Sequence, residues 1–256
     1  MSKPKILLTN DDGINAQGII SLANSLADIA ELYIVAPIFE MSAMGHAITI
    51  SDPLKVTEIH RNGSHFGWGI GGTPADCVKL AINGSLVPRP DMVISGINQG
   101  ANVGVDIIYS GTVSAAYEGT ILEIPAMAIS LDSFAQKDYS HAGKVARLLV
   151  PRILEEGLPA GTLLNVNVPA GDYESFKGFK ITEQGSGTYE ETLERREDPR
   201  QRVYYWLSGT RVYKNQNPEL DENAVRAGYV SVTPLHYELT NKGFMDPLKS
   251  WNLEIE

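Results

Sequence analysis

A short apolar run, Ile6-Leu7-Leu8-Thr9, stops at Asn10-Asp11-Asp12-Gly13, and the rest of the chain has to be built around that stop. An apolar run this short reads as a strand buried on both faces, which requires helices on both sides of its sheet. The amphipathic segment Ile19 to Ile29 reads as the first of those helices. In open α/β sheets, ligands bind beyond the carboxyl ends of the strands, and Asp11 and Asp12 fall in the first strand-to-helix turn. Two adjacent carboxylates in a partly buried turn repel unless a cation neutralises them. Hard divalent ions such as Mg²⁺ or Mn²⁺ suit such oxygen donors. Asp-Asp-Gly is equally compatible with an ordinary turn and helix cap, so on this motif alone both readings stand.

The alternation continues. Leu32–Ala36, Met92–Ser95, Ala126–Ser130 and Leu163–Val168 read as strands, with helices over Val113–Leu122 and His141–Leu154. This predicts an α/β fold with a mostly parallel sheet and helices on both faces. Ala47–Ile50, Leu54–Ile59 and Phe66–Ile70 read as further short strands. In Gly72-Thr73-Pro74-Ala75-Asp76, Thr73 suits a helix N-cap, Pro74 the first helical position and Asp76 the third. Gly96 to Gly104 is rich in glycine and asparagine and reads as a loop whose backbone approaches a ligand. Ser110, Gly111 and Thr112 fall at a helix N-terminus, which favours an anion, although a plain Ser/Thr cap has the same appearance.

Charge and composition narrow the function classes. A net charge of −10 opposes binding to duplex nucleic acid but leaves room for a small phosphate ester held by a metal. The one cysteine, Cys77, excludes an internal disulfide and a cysteine-based zinc cluster. No apolar run approaches the roughly 18–20 residues of a membrane-spanning helix. Ser2-Lys3-Pro4-Lys5 is not a secretory leader pattern, so a cytoplasmic location away from membranes is expected. Gly-x-Gly-x-x-Gly after the first strand, a Walker-type phosphate loop and a Gly-x-Ser-x-Gly elbow are all missing, which disfavours dinucleotide-binding, P-loop and α/β-hydrolase readings. His46 lies in a glycine-containing loop within reach of the crevice, and His236 is equally ambiguous.

After Pro169 the pattern changes. Thr182 to Gly209 is polar and charge-rich. Val203-Tyr204-Tyr205-Trp206-Leu207 reads as an aromatic strand, with Arg211–Tyr213 as its pairing strand, and Ala224–Leu235 reads as an apolar strand. Isolated hairpins are marginal in water, so these aromatics are expected to pack on a second subunit.

Six ordered blocks carry a family resemblance: Asn10-Asp11-Asp12-Gly13; Ala36-Pro37 with Ser42 following; Gly72-Thr73-Pro74-Ala75-Asp76-Cys77; Ser95-Gly96-Ile97-Asn98-x-Gly100-x-Asn102; Tyr109-Ser110-Gly111-Thr112-Val113; and Gly228-Tyr229-Val230-Ser231-Val232-Thr233-Pro234-Leu235. Together they resemble the SurE family of stationary-phase survival proteins, which act as 5′/3′-nucleotidases. The resemblance spans nearly the whole chain and is weakest between about Gly171 and Asn223.

That resemblance implies a Rossmann-like catalytic domain over residues 1–170 and an arm over residues 171–256 that exchanges between subunits and returns to the core. It implies a homodimer or homotetramer and one Mg²⁺ or Mn²⁺ per subunit, held by Asp11, Asp12, Ser42 and Asn98. Asp11 and Asp12 would be catalytic. Asn98, Asn102, Ser110, Gly111 and Thr112 would bind the phosphate of a nucleoside monophosphate. The expected activity is hydrolysis of nucleoside 5′- and 3′-monophosphates. A sugar-nucleotide-binding transferase, or an interaction protein with a structural metal, is the alternative. The sequence departs from the family at Ile38-Phe39-Glu40-Met41, where a more polar run is usual, and at Ala43, Ser114 and Glu123, where glycine is common.

Overall fold

The computed structural model describes residues 2–135, 138–213, 215–251 and 253. In chain order the strands are β1 (Lys5–Thr9), β2 (Glu31–Pro37), β3 (Val56–Arg61), β4 (Ser64–Ile70), β5 (Met92–Gln99), β6 (Ala126–Asp132), β7 (Thr162–Pro169), β8 (Phe179–Ile181), β9 (Thr188–Glu197), β10 (Val203–Val212) and β11 (Val230–His236). The helices are α1 (Gln17–Leu26), α2 (Pro74–Asn83), α3 (Asp106–Tyr109), α4 (Gly111–Ile121), α5 (Ser140–Glu156), α6 (Asp221–Arg226) and α7 (Met245–Lys249). Among the described residues no helix is long and apolar enough to cross a membrane.

Nine strands form one sheet in the order β3-β4-β2-β1-β5-β6-β7-β11-β8. From β4 through β7 every neighbouring pair is parallel, while β3 and β11 run antiparallel to their inner neighbours. The mostly parallel α/β sheet expected from the sequence is therefore present. Alternate residues of β1 serve opposite faces, as the two-residue strand period requires. Ile6 and Leu8 join the α1 and α5 side chains Leu22, Leu26, Val145 and Val150 in one core layer. Leu7 joins Cys77, Val78, Val113 and Ala116 of α2 and α4 in the other. Cys77 is fully buried there, and desolvation pushes its thiol well above the usual range, as suits an inert apolar residue.

The chain leaves β1 to build one half of the sheet through β2, then crosses to β5 on the other side of β1. That reversal opens a crevice between the carboxyl ends of β1 and β5, where open α/β sheets take their ligands. Gly18 of α1 packs directly on β5, where a Cβ would lie on the Ile97 carbonyl oxygen, so the helix holds the strand end that carries Asn98.

Several local expectations are corrected. Residues 47–50 form no strand, because their polar groups are spent on the start of α2. The Thr49 N–H and hydroxyl donate to Asp76 at 2.9 and 2.6 Å, and the Ala47 carbonyl accepts from the Thr73 hydroxyl at 2.7 Å. Asp76 and Thr73 complete a reciprocal capping box with Pro74 at the first turn, as the sequence predicted. The loop expected from Gly96 is strand as far as Gln99, where Asn98 and Gln99 pair with Ser130 and Leu131. Val203 through Val212 is one strand whose partner is Thr188–Glu197, not Arg211–Tyr213. The charged partner strand lacked an apolar alternation because, among the described residues, its side chains are exposed from Glu190 to Glu197. Residues 224–235 divide into the end of α6 and β11, since Ala227-Gly228 closes the helix before the strand begins.

The β9–β10 hairpin stands apart as a two-stranded sheet. Leu193, Tyr205, Trp206 and Leu207 are each more than half exposed. Residues beyond 170 also supply β8 and β11 to the main sheet, so the last third of the chain is part hairpin and part core.

Candidate active site

A cleft of about 820 Å³ opens at the β1–β5 crevice. Asp11, Asp12, Ser42, Asn98, Asn102 and Ser110 all line it, although they come from four different segments of the chain. Gly111 and Thr112 stand behind this wall, in contact with Asp11.

Asp11 is only 5% exposed. Its carboxylate meets the N-terminus of α4, accepting the Thr112 hydroxyl at Oδ1 and the Thr112 backbone N–H. The helix end that the sequence marked as an anion site therefore already holds an anion of the protein itself. Burial still pushes the Asp11 carboxyl above its ordinary range, against the opposing pull of these hydrogen bonds. Gly111 is what permits the contact: a Cβ there would lie 2.8 Å from Asp11 Cβ and 3.0 Å from its Oδ2. A side chain at position 111 would thus displace Asp11 as well as any phosphate, so substituting Gly111 does not isolate the phosphate contact.

Asp12 lies more openly in the cleft and accepts a long hydrogen bond of 3.4 Å from the Gln99 N–H. Burial first, and then the charge of Asp11, push its carboxyl up to about 7. Glu40 adds its own negative charge against both aspartates. Among the described residues neither aspartate forms an ion pair with Lys, Arg or His. Among the described residues, the arginine that lines the cleft, Arg211, pairs with Asp106 and not with either aspartate.

Neutral oxygen donors surround them. Ser42 donates to Glu40 at 2.7 Å, leaving its oxygen lone pairs free to face a cation. The Asn98 side-chain nitrogen donates to the Gly100 carbonyl at 2.8 Å, which leaves its oxygen as the remaining ligand atom. These donors suit a hard divalent ion and offer nothing to a soft one.

Asn102 is 8% exposed and knitted into the end of the sheet. Its N–H donates to Asn167 at 2.8 Å, its side chain donates to Ser130 at 2.9 Å, and its carbonyl accepts from Asn165 and Asn167. The following loop is tied to α6 and to the root of the hairpin. Gly104 N–H donates to Asp221 Oδ2, the same carboxylate accepts from Gly185 N–H at Oδ1, and Val105 N–H donates to the Gly187 carbonyl. Asp221 and Glu222 are both buried, and desolvation raises the carboxyl of each.

Glu40, Gln99, Asp132, Tyr109, Phe134, Arg211 and Tyr213 are among the other lining residues and were not named as site residues from sequence. Two of them carried a local signal: Tyr109, which opens the block with Ser110, and Glu40, two residues before Ser42 in the run that departs from the family. Arg211 arrives from the hairpin and pairs with Asp106 of α3, a contact invisible to any local pattern. His46 does not line the cleft. It contacts the buried Glu118 at 3.0 Å, which also binds Lys79 at 2.6 Å, and so fastens the loop that carries Ser42. His236 accepts from the Glu238 N–H and is likewise outside the cleft. Ala43 in the Ser42 loop and Glu123 after α4 both have positive φ, 57° and 59°, the conformation for which glycine is the relaxed choice.

Comparisons with known proteins place the chain in a family. Residues 6–191 match the family described as Survival protein SurE. The chain is 49% identical to the 5′-nucleotidase SurE of Syntrophobacter fumaroxidans over 249 residues, covering 97% of this chain and all of that one. It is 51% identical to the 5′-nucleotidase SurE of Symbiobacterium thermophilum over 251 residues, covering 97% and 98% of the two chains. Among solved structures, the SurE protein from Aquifex aeolicus superposes with a TM-score of 0.84 at 41% identity, covering 98% of this chain and all of that one.

The raised Asp12 carboxyl makes a prediction for metal-free protein. Folded Asp12 keeps its proton up to about pH 7, whereas the unfolded residue releases it near 3.8. Stability is therefore lost as pH rises between those values, and the penalty is constant above them. Asp12→Asn should raise the urea midpoint in chelator at about pH 8 and have a much smaller effect near pH 4. An equal effect at both would contradict the assignment.

Proposed function

Since the chain belongs to the Survival protein SurE family, we propose that it is a divalent-metal-dependent phosphatase that hydrolyses nucleoside 5′- and 3′-monophosphates to nucleoside and phosphate. The observation that carries this reading is the Asp11–Asp12 pair, adjacent and desolvated at the switch point of the sheet and, among the described residues, in no ion pair with a lysine, arginine or histidine. The donor set fits Mg²⁺ or Mn²⁺, with Asp11, Asp12, Ser42 and Asn98 as the ligands. When bound, the ion supplies polarisation of the phosphoryl group and a water acidic enough to attack it.

The chain's own residues do the rest. Asp11, fixed by Thr112, keeps a constant position, while Asp12 is the more open carboxylate and the better placed to take a proton from the attacking water. Ser110, Asn98 and Asn102 line the same cleft and would meet the phosphoryl oxygens with neutral polar groups. Tyr109, Phe134, Leu207 and Tyr213 give the outer wall the apolar and aromatic surface that a nucleobase requires. The volume lies within the range of sites for small organic ligands.

Phosphate release from a panel of 5′- and 3′-nucleotides, with and without chelator, tests the reading. Chelation should abolish release, and Mg²⁺ or Mn²⁺ should restore it. Asp11→Asn and Asp12→Asn should each lower kcat/KM by roughly a hundredfold or more with the fold retained. Chelator-insensitive release, or near wild-type turnover by either variant, overturns it. Nucleotide binding without release would favour a transferase or a structural metal instead.

The same reading assigns the β9–β10 hairpin to a partner subunit in a homodimer, or in a homotetramer built from it. Trp206, 58% exposed, on one face of β10 and Tyr205 on the other present apolar surface that a lone chain leaves in water. Light scattering should give at least a dimer at micromolar concentration, and Trp206→Glu with Tyr205→Glu should shift the mass towards monomer. A monodisperse, active wild-type monomer would exclude the exchanged arm.

A further inference from the structure

A second group of metal-ligating side chains lies on the two outermost strands at one edge of the sheet, with β2 between them and β1. The turn Asn62-Gly63 joins β3 to β4, with φ of 49° and 78°, the paired left-handed conformation of a tight two-residue hairpin. Its register sets His60 directly opposite His65. Glu58 shares the face of His60, two residues earlier, and pairs with Trp68. A register shift between Ile59 and His60 draws the later residues of β4 back into line. One ligand atom from each of Glu58, His60 and His65 lies within 4.8 Å of the other two, and all three side chains are exposed.

We propose that Glu58, His60 and His65 form a peripheral site for a borderline first-row transition ion of the Zn²⁺, Ni²⁺ and Cu²⁺ class, separate from the carboxylate cleft. Bonds of about 2.0–2.2 Å from imidazole and carboxylate place neighbouring ligand atoms roughly 3–4 Å apart. The observed separations, none above 4.8 Å, lie close to that range, and all three side chains are exposed, with room to turn. Two imidazoles and one carboxylate leave further positions to water, and imidazole selects this class of ion over Mg²⁺. The chemistry is therefore opposite to that of the cleft, where every donor is a hard oxygen. The His65 ring is held against Trp68 at 4.4 Å between centroids, so half of the imidazole pair is already oriented. Arg61, the nearest cation along the strand, is turned to the Phe66 ring and the Asn15 oxygens.

Trp68 also reports the site. It is one of three tryptophans in the sequence, with Trp206 and Trp251, and the one whose ring contacts a histidine of the cluster among the described residues. Chelator-treated, desalted full-length protein titrated with NiCl₂ or CuCl₂ should show saturable quenching of tryptophan fluorescence, and titration calorimetry should show the matching binding event. His60→Ala and His65→Ala should each weaken that event by roughly tenfold or more. Glu58→Gln should weaken it less, and Trp68→Phe should remove the quenching while calorimetry still records binding. Asp12→Asn should leave the event unchanged, and millimolar Mg²⁺ should not displace the ion. Circular dichroism establishes that the histidine variants remain folded, as exposed positions predict. Affinity unchanged in both histidine variants, binding lost in Asp12→Asn instead, or no saturable binding in the wild type overturns the proposal.

Discussion

The burial of the Asp11 carboxylate against the first turn of α4 is the contact on which the rest of the site depends. A desolvated carboxylate is costly unless donors or a cation meet it. Thr112 supplies two donors, and Gly111 supplies the space in which they reach it. What this does not cover is the second charge of Asp12 beside it, with Glu40 near enough to add a third. The strand end is stabilised as a geometry and left unbalanced as a charge distribution. A cation in the cleft would offset that imbalance, with the neutral oxygens of Ser42 and Asn98 beside the aspartates and Arg211 of the cleft wall already paired with Asp106.

The cleft is also continuous with the rest of the molecule through its loops. Asn102 is locked to the sheet by Ser130, Asn165 and Asn167, so the segment after β5 cannot drift. One residue pair further on, the buried carboxylate of Asp221 takes N–H groups from both Gly104 and Gly185, joining that segment to the base of the hairpin. Arg211 of the hairpin then meets Asp106 and enters the cleft wall. The exposed aromatic arm and the buried carboxylate pair are thus two ends of one connected set of contacts. A change in what the arm packs against has a physical route to the outer wall of the site.

The parts of this arrangement that were legible in the sequence are those encoded locally. The β1 run and its Asp-Asp stop, the Thr73-Pro74-Asp76 cap and the Ser110 cap each state their conformation within a few residues, and each is found as read. Residues 47–50 misled because their β-rich composition is overruled by hydrogen bonds to Asp76 and Thr73, which lie more than twenty positions away. The hairpin partner of Val203–Val212 was missed because an uncovered, charged strand has no alternation to detect. Asn165, Asn167, Asp221 and Arg211 carry no local signature at all, since their roles exist only where distant segments meet. Ala43 and Glu123 are a further case: the sequence marks them as departures from glycine, and only the backbone shows that both occupy glycine-like conformations.

The central claim is that the unbalanced carboxylates at the end of β1 are the ligands of a divalent ion. Crystals grown with Mn²⁺ and measured at its absorption edge test it most directly. One anomalous peak per subunit is predicted in the cleft, bonded to oxygens of Asp11, Asp12, Ser42 and Asn98. A cleft free of anomalous signal at saturating Mn²⁺, or a peak bonded to neither aspartate, would contradict the account.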